Sequence, residues 1–360
     1  MTKLFLPGPV DVSEAVRLAQ AEEMIGHRSS AFESMFERIQ PKLRSVLGSS
    51  SRVYISTSSG SGLQEAAVRN VVDTSLLVCV CGAFGERWFE VAQANGLPAD
   101  RIDSEWGQPN RPEQILEAFG RKPYQAIAVV HNETSTGVQN PIGDIAEAVR
   151  AVSPETLILV DAVSSAGGVE LPFDAWGLDV LLTSSQKCFA LPPGLAFAAV
   201  SDRALDRAQE IAHRGWYFDF VILEAYLKRS MTPYTPAISL LFALDKQLDQ
   251  MLAEGLEARF ARHAGMAALV QRWAEQRLDL FAAVGFRSNT VTTVRNALDL
   301  DTPALIEFLE TQGMVIANGY GSLKNETFRL AHMGETRLVD IERLLESIDS
   351  FIEDEGQRRA

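Results

Sequence analysis

The sequence predicts an α/β chain: a large domain on a mostly parallel sheet between helices, followed by a small C-terminal α+β domain. Three observations predict it. Six short apolar runs recur between residue 53 and about residue 200. Each is rich in branched residues and apolar on both faces, as strands covered by helices on both sides are. Helical patterns separate the runs, and after about residue 240 the alternation stops.

The runs are VYIS from Val53, LLVCVC from Leu76, AIAVVH from Ala126, LILVD from Leu157, DVLL from Asp179 and LAFAAV from Leu195. Between them, residues 62–72 follow a serine–glycine turn, and 86–94 carry apolar residues at helical spacing. Residues 112–119 open on Pro112, as first helical turns often do, and 142–152 form a fourth helical pattern. Strands alternating with helices imply parallel crossovers. Beyond them, 241–280 reads as one long amphipathic helix. Then come a strand TVTTV from Thr290, a helix over 303–312, strands MVIAN from Met314 and TFRLAH from Thr327, and a last helix over 336–353. The expected division is an N-terminal segment 1–15, a large domain 16–245 and a small domain 246–360.

The chain has 360 residues, 46% of them hydrophobic, enough to bury a full core. Its net charge of −14 and pI of about 4.9 repel phosphate backbones and anionic membrane surfaces, so neither nucleic acid nor membrane is expected as a partner. No apolar run approaches the ~18 residues needed to span a bilayer, and the start carries no secretory pattern. Cys79, Cys81 and Cys188 cannot form a disulfide framework, and Cys79 and Cys81 read as buried strand residues rather than metal ligands. The expectation is a cytoplasmic protein without a metal site.

Three features carry potential chemistry. Lys187 is the one lysine of seven on a short loop between two apolar runs. A lysine so placed must be paired or lose its charge, and a lowered pKa frees its amine to attack a carbonyl. A loop lysine reaching solvent reads the same way. Asp161 ends LILVD, at the strand edge where open α/β sheets bind ligands. It could face a cationic ring nitrogen or a metal, or cap the next turn. SSGSG, residues 58–62, lies between a strand and a helix and could cradle a phosphate with free N–H groups and hydroxyls. It is neither a Walker loop nor GxGxxG, and serine–glycine turns are common. Together the three fit one ligand: an aromatic aldehyde with a phosphate and a basic ring nitrogen.

With these residues in place, the sequence resembles the class V aminotransferases, the group of alanine–glyoxylate and serine–pyruvate aminotransferases. PGPV, GHRSSAF, SSGSGLQEAA, GAFGERW, HNETSTGVQNPI, LVDAVSSAGG, SSQKCFALPPG and FRL occur in the family's order over nearly the whole chain. The resemblance implies a fold type I pyridoxal-phosphate (PLP) enzyme with a seven-stranded sheet, acting as a homodimer with shared active sites. It implies that Lys187 carries the cofactor as a Schiff base and that Asp161 partners the ring nitrogen. Ser59, Gly60 and Ser61 match the phosphate turn, Phe84 the ring-stacking aromatic and Val163 the opposite ring face. Thr134 and Ser135 match the groups near the ring hydroxyl, and Gln186 the neighbour of the lysine. Thr235, or else Tyr234, matches a residue reaching the partner subunit's phosphate. Arg329 matches the substrate carboxylate clamp, and Gly8 in PGPV lines the same pocket. The pair His27-Arg28 resembles a phosphate-holding segment of phosphoserine aminotransferases, but NGYGSLKNETFRLAHMG lacks the second histidine–arginine pair of those enzymes.

The function implied is amino transfer from a small amino acid (alanine, serine or aspartate) to a 2-oxo acid such as glyoxylate or pyruvate. Phosphoserine transamination, and a lyase or cysteine desulfurase on the same fold, are the alternatives. A desulfurase needs a mobile cysteine in the small-domain loops and usually stacks a histidine where this chain has Phe84.

Overall fold

The structure is a computed structural model that describes residues 2–359. Its centre is a seven-stranded sheet in the order Arg52–Ser56, Ala196–Val200, Val180–Ser184, Leu157–Asp161, Ala126–Val130, Leu76–Val80, Ala99–Asp103. Ala196–Val200 runs antiparallel to both neighbours and the other pairings are parallel.

The sheet separates two apolar layers, which is why its strands read as apolar on both faces. Leu77, Cys79, Ile127, Val129, Ile158 and Val160 enter one core. Leu76, Val78, Val80, Ala128, Leu157 and Leu159 enter the other. All six predicted runs are strands. The seventh, Ala99–Asp103, escaped because its sequence ADRID is largely exposed at the sheet edge, and charged side chains on an edge strand hide it from a hydrophobicity pattern. The helices Glu14–Ala19, Ser30–Val46, Asp202–Glu210 and Phe220–Leu227 were likewise not anticipated.

The small domain holds a four-stranded antiparallel sheet of Asp279–Leu280, Val291–Arg295, Thr327–Ala331 and Ala317–Asn318. Its core contains Met266, Val270, Leu305, Phe328, Leu330 and Ile341. The stretch expected as one helix over 241–280 is two, Ile238–Glu254 and Leu256–Arg277. Gly255 breaks it at φ +84, a conformation glycine adopts without steric cost. Apolar spacing continues across the break, so periodicity alone does not reveal it.

Two domain limits change accordingly. The expected 245/246 boundary falls inside Ile238–Glu254, whose Leu244, Leu248 and Met251 all pack in the large core. The N-terminal segment 1–15, expected to run toward a partner, begins on the small domain. Lys3–Leu4 pairs in parallel with Met314–Val315, and Phe5 is buried in the small core. That pairing consumes half of the predicted strand MVIAN; Ala317–Asn318 pairs with Thr327–Ala331 instead.

Parallel strands end together. The carboxyl ends of Arg52–Ser56, Leu76–Val80, Ala126–Val130, Leu157–Asp161 and Val180–Ser184 share one sheet edge. The serine–glycine turn, Phe84, Thr134, Asp161 and Lys187 all follow at that edge.

Candidate active site

Lys187 sits at the centre of this edge and is 9% exposed. Its amine donates to the carbonyl of Pro7. Gly8, at φ +81, lies against it so closely that a Cβ there would strike Lys187 Cδ and Cε and the carbonyl of Gln186. The N-terminal segment therefore crosses from the small domain to wall the lysine, and only glycine fits. Gln186 is half-buried beside it.

Asp161 is buried and ends its strand as expected. Its Oδ2 accepts from Gln64 Nε2 at 2.7 Å and its Oδ1 from the Val163 amide at 2.8 Å. No cation lies within ion-pair distance of it among the described residues. Burial raises its pKa to about 6, against the two hydrogen bonds, Arg87 and Lys187, which lower it. Burial pushes the Lys187 amine down to about 8, helped by the Arg329 charge. The signs follow from the ordinary values, 3.8 and 10.5. The fold loses stability as pH rises from 3.8 through about 6 at Asp161, and as pH falls from 10.5 through about 8 at Lys187. Between the two values both charges are held at a cost. A ligand that places a cation on Asp161 and takes up the lysine amine relieves both.

The serine–glycine turn is built as an anion cradle. Gly60–Val71 is a helix whose N-cap, Ser59, makes no side-chain cap, so first-turn N–H groups remain for a ligand. Gly60 faces Val163, whose Cγ2 would lie 2.5 Å from a Cβ at Gly60. Buried nearby, Ser184 Oγ and Gln64 Oε1 have no hydrogen-bond partner. Arg87 Nη1 donates to Ser61 Oγ at 3.3 Å, and its guanidinium lies 4.7 Å from the Phe84 ring centroid. An uncapped helix start, a charged arginine, an unpaired buried carboxylate and a depressed lysine are the complements of a phosphate, a ring nitrogen and an aldehyde. The residues fit pyridoxal phosphate.

Arg329 lies in Thr327–Ala331 between Phe328 and Leu330, which both enter the small core, so its side chain takes the opposite face. Its Nε donates to the Asn318 carbonyl at 3.0 Å and its Nη1 to the Thr134 carbonyl at 3.4 Å. No carboxylate lies within ion-pair distance of it among the described residues. Burial lowers its pKa to about 10, with Tyr320 and Glu133 opposing the shift.

Other expected residues have partners within the chain. Ser135 Oγ accepts from the Ala83 amide at 3.1 Å and donates to Glu133 Oε1 at 2.6 Å, so it secures the helix Ala83–Ala94 from beneath. Its only hydroxyl proton goes to Glu133. Thr134 Oγ1 shares a 2.5 Å hydrogen bond with Ser164 Oγ. Arg28, expected with His27 to contact substrate, has these partners within this chain. It donates to the carbonyls of Thr232 and Pro233 at 2.6 and 2.9 Å and lies over the Tyr226 ring. It thus anchors the segment bearing Tyr234 and Thr235. Among the described residues, no contact joins His27 to Lys187 or Arg329. Tyr234 stacks on Tyr217 and donates to the Trp216 carbonyl at 2.6 Å, while Thr235 is exposed.

Four residues were missed. Arg87 follows Phe84 by three positions, so helical spacing could have placed it on the same face. Glu133 is fully buried; its Oε2 accepts from the Phe84 and Gly85 amides at 3.1 Å each, an acid at a helix N-terminus. Its place beside Thr134 in HNETSTG was the available signal. Tyr320 touches both Phe84 and Arg329. Arg259, 1% exposed, reads in sequence as one more charge on a helix. It donates to the carbonyls of Gly167 and Cys188 and pairs with Glu254 and Glu335, tying the Asp161 and Lys187 loops to the domain junction.

The pKa of Lys187 has a kinetic consequence, since attack on an aldehyde requires the neutral amine. The rate of PLP attachment to the apoprotein should rise roughly tenfold per pH unit and level off near pH 8. Stopped-flow absorbance from pH 6 to 10 measures this. A rate still climbing tenfold per unit at pH 10 would show an ordinary lysine.

Residues 15–336 match the family model described as Aminotransferase class-V. The chain is 35% identical to a protein of Synechococcus sp. named soluble hydrogenase, small subunit, over 98% of this chain and 93% of that one. It is 32% identical to the L-aspartate–glyoxylate aminotransferase of Paracoccus denitrificans, over 92% and 86% of the two chains. Among solved structures it superposes on an aspartate aminotransferase of Thermus thermophilus with a TM-score of 0.91 and 31% identity, covering 98% of this chain and 99% of that one.

Proposed function

The chain belongs to the class V aminotransferase family and is a PLP-dependent transaminase, and from that premise we propose that it moves an amino group from a small, unphosphorylated amino acid (alanine, serine or aspartate) to a 2-oxo acid such as glyoxylate or pyruvate. The observation that carries the proposal is the pairing of Lys187 and Arg329. Both are basic, both are removed from bulk water, the Arg329 charge acts on the Lys187 amine, and neither has a carboxylate within ion-pair distance among the described residues. A carboxylate placed on Arg329 by a bidentate pair brings its own Cα toward the lysine.

Bound pyridoxal phosphate supplies an aldehyde that takes up the donor's amine and a ring that accepts the electron pair left when the Cα proton departs. The chain's residues do the rest. Asp161 would keep a proton on the ring nitrogen, as its buried carboxylate has no other cation within ion-pair distance among the described residues. Lys187, as a neutral amine, would accept the proton from the donor's Cα and hold it for return. Arg329 fixes the carboxylate and so decides which Cα bond is broken. The cradle at Ser59–Ser61 would anchor the phosphate, Phe84 and Val163 would hold the ring, and Glu133 holds Phe84.

The engagement of Arg28 by Thr232 and Pro233 supports an unphosphorylated donor. All three cysteines are buried, with thiol pKa values pushed above the ordinary range by burial, which argues against desulfurase chemistry. The test is a panel of alanine, serine, aspartate and phosphoserine against glyoxylate, pyruvate and 2-oxoglutarate, with product analysis. A kcat/KM for phosphoserine more than tenfold above the other donors (about 1.4 kcal/mol) would overturn the small-donor assignment, and release of pyruvate and ammonia from serine would indicate a lyase.

We also propose a cytoplasmic homodimer. Trp216 (68% exposed), Tyr217, Leu18 and Met24 leave large apolar side chains in solvent. The Tyr234–Thr235 segment beside Trp216 is held to the cradle strand by the Ala237 amide, which donates to Thr57 Oγ1 at 3.1 Å. Sedimentation should give a dimer, and Trp216→Ser should weaken it. A fully active monomer would rule the dimer out.

A further inference from the structure

Tyr320 is not among the residues that PLP chemistry requires, yet one ring touches two that are. Its centroid lies 5.7 Å from that of Phe84, tilted by 40°. On the other side, the Arg329 guanidinium carbon is 5.5 Å from it, within cation–π range. The same ring acts on the arginine's charge. Tyr320 therefore occupies the space between the aromatic that stacks on the cofactor and the cation that holds the substrate carboxylate.

The turn that presents it is stiff. Asn318 Oδ1 accepts from the Gly319 amide at 2.7 Å and the Asn325 amide at 2.8 Å, and Asn318 Nδ2 donates to Asn325 Oδ1 at 2.8 Å. Gly319 packs so tightly on the Leu323 carbonyl that a Cβ would collide with it. The carbonyl of Asn318 also receives Arg329 Nε. One small loop thus fixes the direction of the clamp and, two residues on, the position of the ring. None of these turn contacts uses the Tyr320 side chain, so replacing it leaves the loop's own bonds intact.

A donor with its carboxylate on Arg329 and its Cα within reach of Lys187 has one free substituent, its side chain. The cofactor side is bounded by Phe84 and the lysine side by Gly8. We propose that Tyr320 is a specificity-determining residue: its ring is the wall met by the donor side chain, and it limits productive donors to those with short side chains. This rests on the transaminase reading above and adds to it the residue that sets donor size.

The test compares wild type, Tyr320→Phe and Tyr320→Ala, each first shown by absorbance to be loaded with cofactor. Donors are straight-chain: alanine, 2-aminobutyrate, norvaline and norleucine. The quantity read is the ratio of kcat/KM for norvaline to that for alanine. Tyr320→Ala should raise this ratio at least tenfold, whereas Tyr320→Phe, which keeps the wall, should leave it within about threefold. A purely structural role would lower kcat/KM for all donors alike and leave the ratio unmoved, which overturns the proposal. A second readout does not depend on turnover. Dissociation constants of acetate, propionate, butyrate and valerate, measured by calorimetry on the loaded protein, should weaken with chain length in wild type and level out in Tyr320→Ala. Parallel weakening in both proteins also overturns it. If wild type prefers the longer donors, the small-donor reading fails on its own, and the change in ratio between variants still decides whether Tyr320 is the wall.

Discussion

Lys187→Ala should lower transamination by on the order of 10⁴-fold, the upper range for loss of a positioned proton-transfer group. The protein should nonetheless fold and hold PLP. Among the described residues the phosphate cradle, Asp161 and Phe84 make no hydrogen bond to the lysine side chain, and removing a buried amine with a depressed pKa takes away a desolvation penalty. In wild type, borohydride reduction followed by peptide mapping should locate the cofactor on Lys187 alone. In the variant, the cofactor should dialyse away after the same treatment. Labelling of any other lysine, or turnover within tenfold of wild type, would sink the assignment of Lys187 as both attachment point and proton carrier.

The chemistry of this site was legible in the sequence where it depends on strand ends. LILVD and the apolar strand before TSSQK single out Asp161 and Lys187 because a charge beside a buried strand is costly unless paired, while their roles came from the resemblance. Gly8 was placed by resemblance, and the structure supplies the reason, a backbone pressed on the lysine stem. What the sequence did not show are contacts made across domains. Tyr320 and Arg259 reach their partners only after the chain folds back at Gly255 and the small domain seats against the large one. Ser135 and Arg28 carry the right chemistry for a ligand, but their donors are taken by a helix end and by two loop carbonyls. Donor count in a motif says nothing about what already satisfies the donors. The same limit hid Ala99–Asp103 and the break at Gly255. An exposed edge strand is polar, and a left-handed glycine between two helices leaves apolar periodicity undisturbed.

Arg329→Ala should raise the KM for amino donors and reduce kcat/KM by roughly 30- to 5,000-fold, the equivalent of about 2–5 kcal/mol for a buried charge pair losing one partner. The guanidinium is held by two carbonyls and one ring, so the fold around it has no charge to leave unpaired when it goes. Cofactor affinity should change little, since neither the cradle nor Asp161 touches it. A second effect separates a clamp from a merely structural arginine. The Arg329 charge is the largest electrostatic contribution, after burial, that depresses the Lys187 amine. Its removal should therefore move the pH at which PLP attachment levels off upward from about 8 toward 10.5. Arg329→Lys keeps the charge without the planar fork. It should restore the midpoint near 8 while recovering only part of the carboxylate affinity. If Arg329→Ala instead loses cofactor and substrate affinity equally, with the Lys187 midpoint unmoved, the arginine serves the fold and the carboxylate is held elsewhere.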